Sequence, residues 1–176
     1  MLKRLALVLS VLCLFAAPAW SSVEGTWDLA LAPKLMITAL GKPVKKDTPL
    51  PTRDQIVFSV DPEFPGTGTF KSLLFSGEWK EHNQKLKGKP TAPLIEATIR
   101  AALAQGSMNG ITFGNGRLVK QDNLLTGKEL PNGTIKGTFT HESSWKVEAT
   151  RNGQQAQVPV KVKLLIPFSG VRASAE

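Results

Sequence analysis

Residues 145–165 have the sequence WKVEATRNGQQAQVPVKVKLL, in which apolar and polar side chains alternate on both sides of an Asn-Gly pair. Alternation with a period of two is typical of a half-buried strand. Asn-Gly between two alternating runs favours a tight two-residue hairpin turn. Pro159 cannot donate a ladder hydrogen bond, so we expect an edge position or a bulge at that point. This stretch therefore predicts an antiparallel hairpin.

The same alternation recurs along most of the chain and predicts further short strands. These strands are expected over residues 25–32, 34–40, 54–60, 68–75, 78–82, 107–113, 117–125 and 134–141. Residues 41–53 are rich in proline and lysine and predict a loop, Gly114-Asn115-Gly116 predicts a tight turn, and residues 169–176 predict a polar tail. Many short strands at regular spacing favour an antiparallel barrel or sandwich of about 8–10 strands.

One segment departs from the β pattern and predicts an amphipathic helix near residues 92–105. Thr91 is the expected N-cap, Pro93 suits the first turn, and Gly106 suits the end. Glu96 and Arg100 are four residues apart and are expected to form an ion pair. The residues expected on the packed side are Leu94, Ile95, Thr98, Ile99, Ala102 and Leu103. The fold class predicted from the sequence is therefore all-β with one helix.

The first residues of the chain have the three parts of a secretory signal peptide. Residues 1–4 are short and basic, residues 5–17 are almost entirely apolar, and Ala17-Pro18-Ala19 offers small residues to signal peptidase. The apolar run is shorter than the roughly 20 residues that a membrane-spanning helix needs. We therefore expect a signal peptide at 1–19, cleaved after Ala19 or, as a second choice, after Ser21. Residues 20–176 are then one exported domain, periplasmic or secreted.

Composition limits the classes of partner. The formal net charge is +8, to which Lys3 and Arg4 of the signal peptide contribute, and the single cysteine, Cys13, also lies there. The mature domain is expected to have no disulfide and no transmembrane segment. Because a basic surface attracts anions, contact with an anionic envelope surface is an expectation, and export argues against nucleic acid. The lysines near residues 42–46, 85–89 and 161–163 are interpreted as solvated groups that protect strand edges.

Gly25-Thr26-Trp27 opens the first predicted strand. A Gly-x-Trp motif at this place resembles the lipocalins and related barrels. The resemblance implies an up-and-down barrel that holds a small apolar molecule, with the tryptophan closing the barrel floor beside a basic side chain from a late strand. Arg151 and Arg172 are the available basic partners. The chain has no tyrosine, so the Thr-Asp-Tyr loop motif of that family is missing.

Aromatic side chains on the alternating strands are candidates to line a ligand cavity. The predicted ligand-binding residues are Trp27, Met36, Phe58, Phe70, Trp79, Phe113, Phe139 and Trp145. Two alternatives stay open. Small barrels are often filled by their own side chains, and the domain would then be an interaction module that binds a protein or an envelope surface through an exposed apolar or lysine-rich patch.

Nothing in the sequence selects a catalytic or metal-binding constellation. His82 and His141 each adjoin a glutamate, but neighbours along a strand point to opposite faces, and two histidines fall short of a zinc motif. We interpret both as solvated. Acidic residues such as Asp28, Glu78 and Glu148 show no spacing that selects a hydrolytic pair. The prediction is a non-enzymatic protein without cofactor or metal, and a hydrolase would need these groups gathered in one cleft.

Overall fold

The computed structural model describes residues 23–45, 49–83, 85–108 and 110–174. The predicted signal peptide lies outside the described residues. Within the described ranges, no helix has the length and apolarity required to cross a membrane.

The described chain forms eleven strands and one helix. In chain order they are β1 (Gly25–Leu31), β2 (Lys34–Ala39), β3 (Lys42–Lys45), β4 (Arg53–Val60), β5 (Thr67–Lys71), β6 (Ser76–His82), β7 (Lys85–Thr91), α1 (Pro93–Ala104), β8 (Ser107–Met108), β9 (Ile111–Glu129), β10 (Thr134–Arg151) and β11 (Gln154–Arg172). Every strand pairing is antiparallel, so the predicted all-β class with one helix is confirmed.

Eight of the strands close into a ring in the order β1-β4-β5-β6-β7-β9-β10-β11. Closure depends on β1, which pairs with β4 on one side and with β11 on the other. Trp27 shows this directly, since its backbone lies opposite Ile56 of β4 and Arg172 of β11. Closing the sheet removes the unpaired edges that an open sheet would present.

The long strands β9, β10 and β11 extend beyond the ring, where β2 and β3 continue the sheet. β11 pairs first with β2 and then with β1, and the gap between those two strands is bridged by Ala32, whose N–H donates to the Pro167 carbonyl at 3.0 Å. Pro159 lies one residue beyond the pairing with β2, so it has the expected edge position. The Asn152-Gly153 hairpin is confirmed, with both residues at positive φ as such turns require.

Several local predictions were wrong. Gly114-Asn115-Gly116 is not a turn, because β9 runs through it and a register shift against β10 absorbs the irregularity. Residues 169–172 belong to β11 and close the ring instead of forming a tail. Residues 42–45 pair with β2, and 85–91 form a strand that was not predicted. These segments are rich in glycine, proline or lysine, and tertiary pairing overrides their weak strand propensity.

The predicted helix is confirmed, but its cap is different. Ala92 occupies the N-cap position and makes no side-chain capping bond, while the Thr91 hydroxyl donates to the Ser76 carbonyl at 3.3 Å. Thr91 therefore ties β7 to β6 and does not cap α1. The Glu96–Arg100 ion pair is present at 3.0 Å. The helix buries Ile95, Ile99, Ala102 and Leu103, and Leu94 is exposed.

Candidate functional site

The structure buries seven of the eight predicted ligand-binding residues. They are Trp27, Phe58, Phe70, Trp79, Phe113, Phe139 and Trp145. Met36 differs, because its side chain is 45% exposed on the outer surface. The structure therefore brings the aromatic residues inside the sheet and separates Met36 from them.

A continuous aromatic cluster occupies the middle of the barrel. Phe58 contacts Phe70 and Trp79, with ring centroids 6.0 and 6.2 Å apart. Phe75 lies between Phe70, at 6.1 Å, and Phe139, on which it stacks at 4.8 Å. Phe75 was not among the predicted ligand-binding residues, although the predicted strand 68–75 includes it. In the structure β5 ends at Lys71, and Phe75 lies in the loop before β6. Three of the predicted residues thus meet directly, and Phe75 joins Phe139 to them.

The aromatic rings pack tightly against glycines of the neighbouring strands. A Cβ atom on Gly88 would lie 2.9 Å from Phe70 Cε1, and one on Gly68 would lie 2.9 Å from Trp79 Nε1. Such distances leave no room for even a methyl group. At these places the side chains of the protein fill the interior, as small barrels commonly allow.

Arg172, at the end of β11, lies over the ring of Trp27. The Arg172 guanidinium carbon lies 4.5 Å from the centroid of the indole ring, a cation–π distance. The indole N–H donates to the Val23 carbonyl at 2.8 Å, and Arg172 also donates to the Glu24 carbonyl. Arg151, the other candidate partner, ends β10 beside the Asn152-Gly153 hairpin. Of the two basic residues, Arg172 is thus the one that covers Trp27.

Two carboxylates lie near this end. Glu129 contacts Arg172 at 3.6 Å. Burial raises the pKa of Glu81, and the negative charge of Glu129 raises it further. An arginine and two acids do not form a metal centre, and among the described residues no group of three or more His, Cys, Asp and Glu is placed to hold a metal ion.

Helix α1 covers Trp145, which lies in the part of β10 beyond the ring. Arg100 places its guanidinium carbon 5.0 Å from the Trp145 ring centroid and donates to the Gly116 carbonyl at 2.8 Å. A Cβ atom on Gly116 would lie 3.4 Å from Trp145 Cε3 and 3.7 Å from Leu103 Cδ1. The helix, the strand β9 and the indole ring are therefore in close contact.

A chain of buried polar groups lies between this helix-covered region and the aromatic cluster. Asn123 Nδ2 donates to the Pro90 carbonyl at 3.0 Å, and Asn123 Oδ1 lies 2.7 Å from His141 Nδ1. His141 Nε2 lies 2.9 Å from Ser143 Oγ, which accepts from Trp145 Nε1 at 2.9 Å. His141 was predicted to be solvated, and that prediction was wrong: the side chain is fully buried.

The two ends of this chain fix its proton positions. The Pro90 carbonyl can only accept and the indole N–H can only donate. Asn123 therefore turns its oxygen toward His141, whose Nδ1 carries a hydrogen. In a neutral imidazole Nε2 is then the acceptor, and the Ser143 hydroxyl donates to it. Burial lowers the pKa of His141, against a smaller opposing effect of Glu96. The histidine is thus neutral, and the network satisfies its members as a structural element.

Lysines gather on the outer face of β6, β7, β9 and β10. Register places Lys80 opposite Lys87, and Lys128 opposite Lys136. We call the set Lys80, Lys85, Lys87, Lys89, Lys128 and Lys136 the lysine face; all six are exposed. The edge-protection interpretation was wrong for Lys87, Lys161 and Lys163, because each of them is paired with a neighbouring strand on both sides.

Comparison with known proteins adds little to this geometry. No family model matches the chain, and no curated protein matches it significantly. A search of solved structures finds the solid-state NMR structure of the outer membrane protein AlkL in DMPC lipid bilayers, at 11% identity and a TM-score of 0.31, covering 91% of this chain and 97% of that one. A likeness at that TM-score supports no argument about fold or function.

Proposed function

We propose that this chain is an exported, non-enzymatic binding protein of the cell envelope, and that its lysine face docks on an anionic envelope surface. The observation that carries the proposal is the pairing of like charges, Lys80 with Lys87 and Lys128 with Lys136. A mature N-terminus at Trp20 in the recovered protein would support export, and retention of residues 5–17 would contradict it.

Like charges directly opposite each other destabilise a sheet. No ion pair among the described residues involves any of the six lysines of the lysine face. Strand register places one acidic side chain opposite a described lysine of this face: Glu78 lies opposite Lys89. An anionic surface would relieve this repulsion, whereas in water the opposed lysines only destabilise the sheet.

The composition of the lysine face favours a lipid surface over nucleic acid. Its charges are lysines, which act as hydrated point charges, and the face as described includes no arginine fork for phosphate. Phe and Trp side chains, on which bases stack, are also missing from the described outward positions of β6 and β7. Spread over four strands, the ammonium groups suit an extended array of anionic headgroups.

Removing two opposed lysines is expected to weaken vesicle binding strongly. Lys80→Ala with Lys87→Ala should lower the affinity for phosphatidylglycerol vesicles about fivefold per lysine, measured by co-sedimentation at low salt. Lys34→Ala with Lys42→Ala is the matched control, since both lysines are exposed on β2 and β3 and the same charge is lost. Equal losses in the two variants, or tighter binding to single-stranded DNA than to vesicles, would refute the proposal.

A second candidate is the binding of a small apolar or amphipathic molecule inside the barrel. The observation that favours it is the contact of Trp27 with Arg172 at 4.5 Å, which is similar to the closed barrel end that the lipocalin resemblance implies. The packed aromatic cluster opposes it, because a ligand would have to displace rings or helix α1.

Dye displacement separates the two candidates. If the barrel carries a ligand, 1-anilinonaphthalene sulfonate should bind the native protein and be displaced by a fatty acid, and Arg100→Ala, which loosens the contact of α1 with Trp145, should increase dye binding. If the interior stays filled, neither variant nor wild-type protein binds the dye while native. Absence of dye binding would rule out ligand binding inside the barrel, and it would not bear on docking through the lysine face.

A further inference from the structure

A groove of about 490 Å³ lies on the outer surface where β2, β9, β10 and β11 run beyond the ring. It is separate from the lysine face and is not needed for docking on an anionic surface. Polar side chains of four adjacent strands line it, and Met36 lies among them. The arrangement of the charged side chains in the groove determines which ligand it can bind.

Register sorts these charges into two rows. In the first row Ser144 lies between Lys120 and Lys161, and Thr38 lies opposite Lys161. This row offers two ammonium groups and two hydroxyl groups side by side. No ion pair among the described residues involves Lys120 or Lys161. Such a set of donors suits a phosphate or another oxyanion.

The second row is acidic on β9 and β10, where the first row has Lys120 and Ser144. Asp122 lies opposite Glu142, and Lys163 lies opposite Glu142 on the other side. Lys163 Nζ binds Glu142 Oε1 at 2.6 Å, and this hydrogen bond and charge lower the pKa of Glu142. Asp122 takes part in no ion pair among the described residues, so a negative charge is left beside the row of donors.

We propose that this groove binds a small zwitterion that carries a phosphate and an ammonium group, of the phosphoethanolamine class. The phosphate lies on the row of Lys120, Ser144 and Lys161, and the ammonium group lies against Asp122. Positions two apart along a strand are about 7 Å from each other, a spacing that one short zwitterion spans. A simple anion would contact only the donors of the first row, and a simple amine would contact only the acid of the second row.

The test is titration of the full mature protein with free phosphoethanolamine, inorganic phosphate and ethanolamine, followed by NMR chemical-shift changes. Phosphoethanolamine should bind more tightly than either fragment. Lys161→Ala should weaken phosphoethanolamine and phosphate alike, about tenfold. Asp122→Asn should weaken phosphoethanolamine about fivefold and should not weaken phosphate, because it removes a negative charge beside the row of donors. Both side chains are exposed, and thermal unfolding checks that the variants keep the fold.

The matched control is Lys87→Ala, which removes a lysine from the lysine face and should leave phosphoethanolamine binding unchanged. Equal affinity for phosphoethanolamine and phosphate, or an Asp122→Asn variant indistinguishable from wild type toward both, would overturn the proposal. Vesicles of phosphatidylethanolamine distinguish the source of the ligand, because a headgroup in a membrane should bind only if the groove admits it with its chains attached. Loss of vesicle binding in Lys80→Ala with Lys87→Ala, while phosphoethanolamine still binds, would show that the two sites are independent.

Discussion

Replacement of His141 by alanine is expected to destabilise the protein by about 3–5 kcal/mol. The imidazole joins Asn123 Oδ1, at 2.7 Å, to Ser143 Oγ, at 2.9 Å. Its removal leaves the buried Asn123 Oδ1 without a partner and leaves the Ser143 hydroxyl, which still accepts from Trp145 Nε1, without an acceptor for its hydrogen. It also opens a cavity beside them. Urea unfolding measures the loss. His82→Ala is the control: His82 is exposed on β6, so its removal should change the free energy of unfolding by less than about 0.5 kcal/mol.

The same residue predicts how stability depends on pH. Burial lowers the pKa of His141 below its ordinary value of 6.5. The unfolded chain therefore binds a proton at a higher pH than the folded chain does. Stability is full above the unfolded value and is lost as the pH falls from there toward the folded pKa. A His141→Phe variant should lose this part of the dependence, which sets in as the pH falls below about 6.5, and an unchanged slope in that variant would contradict the assignment.

Gly137→Ala is the second substitution with a large expected effect. A Cβ atom there would lie 2.3 Å from Phe168 Cζ and 2.3 Å from the Thr126 carbonyl oxygen. The phenyl ring can move, but the carbonyl belongs to the backbone of the adjacent strand β9, so the strands themselves must separate. We expect a loss of about 3 kcal/mol or more in the free energy of unfolding, measured by thermal or urea unfolding.

Gly114→Ala provides the comparison for that substitution. Gly114 also lies in a long strand, but the nearest atoms to its Cβ would be those of Glu148 at 3.5 Å, an ordinary contact. It should cost less than about 1 kcal/mol. If Gly137→Ala unfolded at the same denaturant concentration as Gly114→Ala, the close approach of Phe168 to β10 would be wrong.

Alternation was a reliable guide where apolar side chains supply it. The strands that contain Trp27 and Phe58 were predicted within one residue of their bounds, whereas β10 was predicted as two separate segments, 134–141 and one that begins at Trp145. β7 was missed because its inward positions include Gly88, whose lack of a side chain makes room for Phe70 of β5. That contact joins distant parts of the sequence, and no local pattern indicates it.

Part of the buried polar chain could have been predicted from the sequence. Continuing the alternation of Trp145 backwards along β10 would have placed Ser143 and His141 on the buried face. The hydrogen-bond partners could not be found in this way, because Asn123 comes from β9 and the Pro90 carbonyl from β7. The lysine face could not be predicted from the sequence for the same reason. Its four strands become neighbours only when β7 pairs with β9 across the intervening helix.

The position of β1 between β4 and β11 has a consequence for the biosynthesis of the chain. Of the described strands, β1 is synthesised first, and one of its two neighbours, β11, is synthesised last. Contacts between such distant segments form slowly. A nascent chain that ends before residue 168 has no partner for that side of β1. The ring therefore cannot close before residues 168–172 have been synthesised, so its closure follows translation of all the other described strands.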